Sequence, residues 1–571
     1  MAVSFTQDDD YIIPSHDGQT YLGLGGNDTY ILSSSTIKDD STIVISDTEG
    51  SNQIQLVGGL GIASSRVIGN AVELTLNNNA KVQILGASDF LYDVGGNATV
   101  GVSGTIEDFN TFVTNTLGHT ESGSGENTNN DNADLLTEAQ SKSTIISGID
   151  NDNLVSLDNY IVTALYEGDS WLNFQGASDP VTYSFNETLP PEYTASGDTT
   201  GWQPLASNVR DVVDEIMSTA NGVVLPDIEK DSGSGEIRFN MVETEAGTAA
   251  YAYFPGSGVG GDVFLGLDVG TDTDNGNVAR YGAGRSTIVH ELGHALGLTH
   301  SFEGASSLPT SEEHSANTVM SYTDFRMQVP QFTGTQTGSG SEVSVAYESV
   351  APDHFMLYDI AALQAVYGPD TNYLASDTAY TFGTAPFYTT IWDAGGNDTL
   401  DFRGTAYYNV IDLTPGTHSN INYRDIDTQI ADQQAVYRNQ LGTSYYDDWV
   451  SDVFTGQSSD IYTGENALGI AWGTIIEKVT GGPAGNRITD NAVDNSLTGG
   501  TANDLFYLGA GGFDTVVGGG GYDLVILEQY AMDQVKIGSY EDSVLLAGDN
   551  FAVQMQGIAG IQFSDQLYTV V

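Results

Sequence analysis

His290–His300 reads HELGHALGLTH and closes a longer helix-forming run, RSTIVHELGHALGLTH. His290 and His294 are four positions apart, so on an α-helix they stack on one face about one turn apart. Two imidazoles at that spacing can take neighbouring corners of a Zn²⁺ tetrahedron. Glu291 sits beside them, within reach of a metal-bound water without displacing a histidine. Gly297 permits the left-handed turn that ends a helix, because it has no Cβ to clash. The chain then bends back, and His300 offers a third nitrogen. Three histidines leave one corner open for water, which marks a catalytic site rather than a closed structural one. In a chain with only eight histidines, the full pattern arises by chance ~1 time in 10⁵. The opposite face, Ile288, Val289, Leu292, Ala295 and Leu296, is apolar and is expected to bury.

The pattern resembles that of the metzincins, whose zinc helix is followed by a methionine-containing turn. Downstream, NTVMSYTDF supplies Met320, which the resemblance places under the zinc as an apolar floor. Tyr322 matches the tyrosine that serralysin- and astacin-like metzincins bring to the metal. The flanking text resembles the serralysins: STIVHELGHALGLTH, VMSY, YDIAALQAVYG and WDAGGNDTLDF follow in that family's order, and the resemblance covers roughly residues 155–571. It implies a zinc endopeptidase acting on extended segments of protein. Glu291 would be the general base toward a zinc-activated water, and Tyr322 would hydrogen-bond the oxyanion.

With 571 residues, the chain has room for about three or four domains. No apolar run approaches the ~18 residues of a membrane span, so a soluble protein with no membrane insertion is expected. Cysteine is absent, which leaves packing or metals to hold the fold. Sixteen Lys and Arg stand against 76 Asp and Glu, a net charge of −60. That argues against nucleic acid or an anionic membrane as partner. It favours bound Ca²⁺, a saline habitat, or both, since self-repulsion on this scale needs screening. MAVSFTQDDDYII has neither a basic nor an apolar signal region, so no Sec-type signal is expected. The closing SDQLYTVV resembles the uncleaved signal read by type I secretion machinery in RTX proteins, which implies an extracellular location.

The expected fold class is α+β: a metzincin catalytic domain with a twisted sheet and zinc helix, a parallel β-roll of calcium-binding nonapeptides, and an added N-terminal all-β module. Residues 1–118 form that module. Within it GLGGNDTYI (Gly23–Ile31) fits the nonapeptide GGxGxDxUx with one glycine replaced, and Asp28 is its candidate calcium ligand. NAVELTLNNNAKVQILG reads as hairpin strands around Asn-rich turns. Residues 119–142 read as an acidic, low-complexity linker.

The protease domain is expected over 143–370. Val181–Asn186 alternates like an edge strand, and Ser207–Ala220 places Val209, Val212, Val213, Ile216 and Met217 on one helical face. Glu236–Val242, Thr248–Gly256 and Gly261–Gly266 read as strands. Tyr251 and Tyr253 border the cleft or join the core with equal weight. A last helix over 354–367 turns Met356, Ile360, Leu363 and Val366 inward. His314 reads as a loop histidine, and His354 and His418 have no partner visible in sequence.

Residues 371–571 carry the clearest repeats. GGPAGNRIT (481), DNAVDNSLT (490) and GGTANDLFY (499) run in register, Leu508 breaks it by one, and GAGGFDTVV (509) and GGGGYDLVI (518) resume it. Glycines permit the tight turn, while a carboxylate and nearby carbonyls bind Ca²⁺ between turns. Ile488, Leu497, Phe506, Val516 and Val525 are expected to point inward. Asp504, Asp514 and Asp523 hold the acidic position, which Asn486 and Asn495 replace in the first two repeats. GGNDTLDF (Gly395–Phe402) resembles the family's extra calcium loop, with Asp398 and Asp401 as candidates.

The residues thus predict a secreted, calcium-stabilised zinc endopeptidase, with Zn²⁺ on His290, His294 and His300. The competing reading is a calcium-stabilised surface or adhesive protein with an inactive or self-processing protease core. Glu291 argues against it, because binding zinc does not by itself need that residue.

Overall fold

In the computed structural model the histidine-bearing run is an α-helix from Ala283 to Ala295. Its Ile288, Val289, Leu292 and Ala295 are wholly buried, each large side chain contributing about 1.5–3 kcal/mol by leaving water. Gly297 takes φ +102° to end the helix. A Cβ there would also meet the Asp169 carbonyl oxygen at 2.0 Å, so the position needs glycine twice over. The structure describes residues 2–570 except 5–9, 17, 23–25, 35, 48–49, 58–59, 69–70, 97–101, 103, 118–132, 147, 176–178, 198–199, 273–276, 305, 338–339 and 541.

The helix packs beside a five-stranded sheet. In order across the sheet the strands are Ile228–Lys230, Val181–Phe185, Ile237–Val242, Val263–Gly266 and Ala250–Ala252, the last antiparallel and the others parallel. The expectation that Val181–Asn186 forms an edge is corrected here: it lies between two neighbours, and the edges are Ile228–Lys230 and Ala250–Ala252, the latter beside the helix. Alternation reports which faces of a strand are covered, not what lies beside it. Ser207–Val223 is the predicted helix, with Val209, Val213, Ile216 and Met217 buried and Val212 only partly so. Leu357–Tyr367 is buried almost all round, and Gly368 ends it at φ +83°.

The chain divides into two compact units, both mixing helix and strand. One comprises Met1–Asn132, Ser539–Glu541 and Ala559–Val571, the other Ala133–Gly538 and Asp542–Ile558. Part of the stretch read as a linker is ordered: Ala133–Gln140 is a helix whose Leu135 and Ala139, four apart, bury against the strand Ser543–Ala547. The rest of that stretch, up to residue 132, lies outside the described residues.

The repeats alternate between two sheets. Asn486–Thr489, Asp504–Tyr507 and Leu524–Leu527 pair in parallel, bringing Ile488 against Phe506 and Phe506 against Val525. Lys478–Thr480, Ser496–Thr498 and Gly512–Val517 do likewise, with Leu497 against Val516. All five of those apolar residues are wholly buried. Leu508, also buried, absorbs the extra residue in the register.

In the first unit Thr29–Leu32, Asn52–Leu56 and Phe90–Val94 also pair in parallel. Ala71–Leu76 forms an antiparallel hairpin with Lys81–Leu85, turning at Asn79 in the left-handed region. An element the periodicity did not announce is the long hairpin of Gln328–Thr337 and Gly340–Ser349. Helices Ile426–Leu441 and Asp447–Gly456 pack with it around Tyr437, Val450 and Phe454.

Candidate metal centre

The helix presents His290 and His294 on one side, and the turn at Gly297 returns the chain so that His300 faces them. The three rings offer nitrogens within 4.8 Å of one another, and His294 Nε2 lies 3.1 Å from His300 Nε2. His290 Nδ1 donates to the Val319 carbonyl at 2.6 Å and His294 Nδ1 to the Leu298 carbonyl at 2.7 Å. His300 Nδ1 lies 3.0 Å from a Glu303 carboxylate oxygen. Each imidazole thus has its Nδ1 engaged, which orients the ring and leaves Nε2 as the ligand atom. Burial lowers the pKa of His290 to about 4 and of His294 to about 3, so both rings are neutral, as a metal ligand must be. Three ring nitrogens with a fourth direction open suit Zn²⁺.

Glu291 is 5 % exposed, and its Oε2 is buried without a hydrogen-bond partner among the described residues. Before a cation compensates it, burial pushes this carboxyl up to about 8. Met320 is wholly buried beneath the helix. A Cβ on Gly293 would meet its sulfur at 2.5 Å, so the glycine inside the motif makes room for the methionine. Tyr322 is 68 % exposed, its ring centroid 5.6 Å from His290 and 4.7 Å from His300.

These groups line a cleft of about 380 Å³ that reaches the edge strand through Ala250, Tyr251 and Ala252. Tyr251 therefore borders the cleft, while Tyr253 packs edge-on against the buried Phe264. Of the other histidines, His314 stacks on Phe325 and His354 pairs with Asp353 at 2.6 Å. His418 donates to the Ala316 carbonyl at 3.1 Å. None of the three joins the triad.

Several residues around the centre escaped the sequence reading. Phe254 meets His294 edge-on at 5.5 Å, and Phe302 stacks on His300 at 5.1 Å. Glu313 accepts hydrogen bonds from Ser301 Oγ (3.0 Å), Ser321 Oγ (2.5 Å) and Thr323 Oγ1 (2.6 Å). It thereby ties the loop after His300 to the turn that carries Tyr322. Glu303, one turn beyond His300, is the only one of these whose spacing was a signal.

A family model described as Matrixin matches residues 229–327, and one described as Peptidase M10 serralysin C terminal matches 357–566. Over these two stretches the chain is similar to the serralysin-like metzincins. It is 28 % identical to Serralysin of Proteus mirabilis over 302 residues, which is 49 % of this chain and 56 % of that one. It is 27 % identical to Metallopeptidase AprA of Pseudomonas marginalis over 42 % of this chain and 50 % of that one, and 32 % identical to Serralysin C of Dickeya chrysanthemi over 35 % and 42 %. The chain thus spans about half the length of the curated relatives it matches. Among the described residues of this serralysin-like chain, no helix is long and apolar enough to cross a membrane.

The candidate calcium ligands fall into three kinds. Asp28, Asp398, Asp514 and Asp523 are wholly buried. In each, Oδ1 accepts a backbone N–H, from Asp10, Thr378, Asn495 and Asp504 respectively, while Oδ2 has no hydrogen-bond partner among the described residues. Burial pushes Asp398 and Asp523 up to about 7. Asp504 has both oxygens engaged, by Asn486 Nδ2 and Gly500 N–H. Asp401 turns outward to Arg403, whose guanidinium takes both its oxygens. The first three residues of the Gly23–Ile31 nonapeptide lie outside the described residues.

Proposed function

We propose that this chain is a secreted, zinc-dependent endopeptidase that hydrolyses peptide bonds in extended segments of protein and is stabilised by calcium. The observation that carries the reading is the buried Glu291 carboxyl, whose Oε2 has no hydrogen-bond partner among the described residues, beside three converging imidazoles. A site that merely stored zinc would have no use for an uncompensated buried acid, which costs stability. When bound to His290, His294 and His300, zinc supplies a water of lowered pKa and polarises a carbonyl.

The chain's own groups do the rest. Glu291 takes the proton of the attacking water and returns it to the leaving amine. Tyr322, exposed at the cleft, donates its phenolic hydrogen to the developing oxyanion. The free edge of Ala250–Ala252 pairs with the substrate backbone by strand addition and holds it extended. Met320 gives the two helical ligands a rigid apolar floor.

The domain scheme we infer is an N-terminal β-rich module to about 118, a protease domain over 143–370 and a calcium-binding β-roll over 371–571. Asp28, Asp398, Asp514 and Asp523 are the ligands we favour, because each carries a buried oxygen with no hydrogen-bond partner among the described residues. Asp504 completes a turn of the same roll. Repulsion among these carboxylates would keep the roll unfolded where calcium is scarce, consistent with export by type I machinery and folding outside.

The test is casein hydrolysis in millimolar calcium by the wild type and Glu291→Ala, with zinc content measured on both. Activity lost in the variant while zinc is retained supports the assignment. Equal inertness of both proteins would instead bring forward the structural or adhesive reading.

A further inference from the structure

The cleft above the triad is lined by three carboxylates, Glu167, Glu291 and Glu303, and among the described residues no lysine or arginine joins them. Glu291 is committed to the reacting water. With a dication on the histidines, three negative charges against two positive still leave the cleft net negative. We propose that Glu167 and Glu303 select substrates carrying a lysine or arginine beside the scissile bond. The proposal rests on the protease reading above and names the substrate class it takes.

The two carboxylates share one wall. Thr299 N–H donates to the Leu165 carbonyl at 2.8 Å, and Tyr166 bridges to Leu298, so the segment leading to Glu167 runs beside the turn from Leu298 to Gly304. A Cβ on Gly304 would come within 2.1 Å of Glu167 Oε1. The Glu167 carboxylate therefore lies across Gly304, in space that glycine leaves open. Glu303 is held at the rim by His300 Nδ1 at 3.0 Å, with its side chain 61 % exposed. Both carboxylates line the same cleft as the three histidines.

The rest of the lining suits the same guest. Phe254 and Tyr322 are 40 % and 68 % exposed, and Tyr251, within the edge strand, is half-buried and also lines the cleft. Aromatic faces attract an ammonium or guanidinium through their quadrupole. The methylenes of a lysine or arginine can lie along those rings while the charged head reaches the carboxylates. An acidic side chain in the same place meets like charge, so the wall rejects as well as attracts.

The experiment uses the full chain in fixed millimolar calcium and a set of internally quenched peptides. The peptides differ only by Lys, Gln or Glu at each of the three positions on either side of the cleaved bond. At one of these positions the Lys peptide is expected to exceed the Glu peptide at least tenfold in kcat/KM in 0.1 M NaCl. The ratio should shrink toward one as salt is raised to 1 M, where the Debye length is ~3 Å. In the double variant Glu167→Gln, Glu303→Gln, with zinc content measured on both proteins, the Lys-to-Glu ratio of kcat/KM should fall toward one, a change of ratio that a damaged fold or a weakened metal site, slowing both peptides alike, cannot produce. Equal cleavage of Lys, Gln and Glu peptides overturns the proposal alone, as does a preference untouched by the double variant. Cleavage of none of them removes the protease reading and this one with it.

Discussion

The carbonyl oxygen of Val319 stands 2.6 Å from His290 Nδ1 and accepts its hydrogen. Val319 is held in turn by Asp359, which is wholly buried. Its carboxylate accepts from Val319 N–H at 2.8 Å, Met356 N–H at 2.9 Å and Thr318 Oγ1 at 2.5 Å. Asp359 thus binds the turn before Met320 to the start of the helix Leu357–Tyr367 and, through Val319, sets the ring of a candidate metal ligand.

Replacing Asp359 with Asn keeps an oxygen for the two N–H groups but turns an NH2 donor toward Thr318 Oγ1, which in the wild type donates to the carboxylate. Zinc affinity, measured by chelator competition, is expected to fall about 10–100-fold. Wild-type affinity in a folded Asp359→Asn protein would show that the turn keeps His290 in place unaided.

Tyr322 touches only rings at the cleft and is largely exposed, so removing its hydroxyl leaves packing intact. Tyr322→Phe should lower kcat about 10²–10³-fold, as loss of one oxyanion donor does, with KM nearly unchanged. A loss appearing mainly in KM would assign Tyr322 to substrate binding instead.

Asp353 and His354 form a pair whose charges should register in the pH dependence of stability. Burial draws the His354 pKa down, but the Asp353 carboxylate outweighs it and leaves the value raised above 6.5. Burial likewise pushes Asp353 up, and the charges of His354, Arg280 and Arg285 bring it below 3.8. The imidazolium contribution is fully present below pH 6.5 and is lost as pH rises through the raised folded value. The carboxylate contribution is present above 3.8 and is lost as pH falls through the depressed one. His354→Gln should therefore cost most near pH 5, about 2 kcal/mol for a charge-assisted hydrogen bond, and less at pH 9. Denaturant melts at the two pH values check this, and a cost independent of pH would deny the pair its charge.

Calcium should stabilise the repeats through Asp514 and Asp523. At a concentration 1,000-fold above Kd, one site adds about 4 kcal/mol. Asp514→Ala with Asp523→Ala should abolish most of the rise in Tm that calcium produces in the wild type, read by circular dichroism with and without chelator. An unchanged rise would move the ions elsewhere.

Much of the centre was legible in sequence because its ligands are local. His290, Glu291 and His294 share one helix, and His300 follows the single turn that Gly297 allows, so spacing alone implies convergence. The buried column from Ile488 to Val525 was legible for a similar reason, since a fixed period repeats one turn of chain. Asp359 and Glu313 were not legible. Their partners come from other segments, and nothing in the residues beside them marks which backbone they will meet. Asp401 looked like Asp398 in its glycine-rich loop, but Arg403, two residues on, takes its carboxylate.

The sequence by itself determined the three converging histidines, the acid beside them and the stacked apolar core of the repeats, because each follows from spacing over a few residues, while Met320 was placed by the family resemblance. Only the tertiary structure decided which strands are the edges, that residues 133–140 dock as a helix, that Glu167 lies beside Glu303, and which carboxylates keep an oxygen with no hydrogen-bond partner among the described residues. Those outcomes depend on what packs laterally against each segment, and burial and hydrogen bonding between distant segments leave no spacing to read.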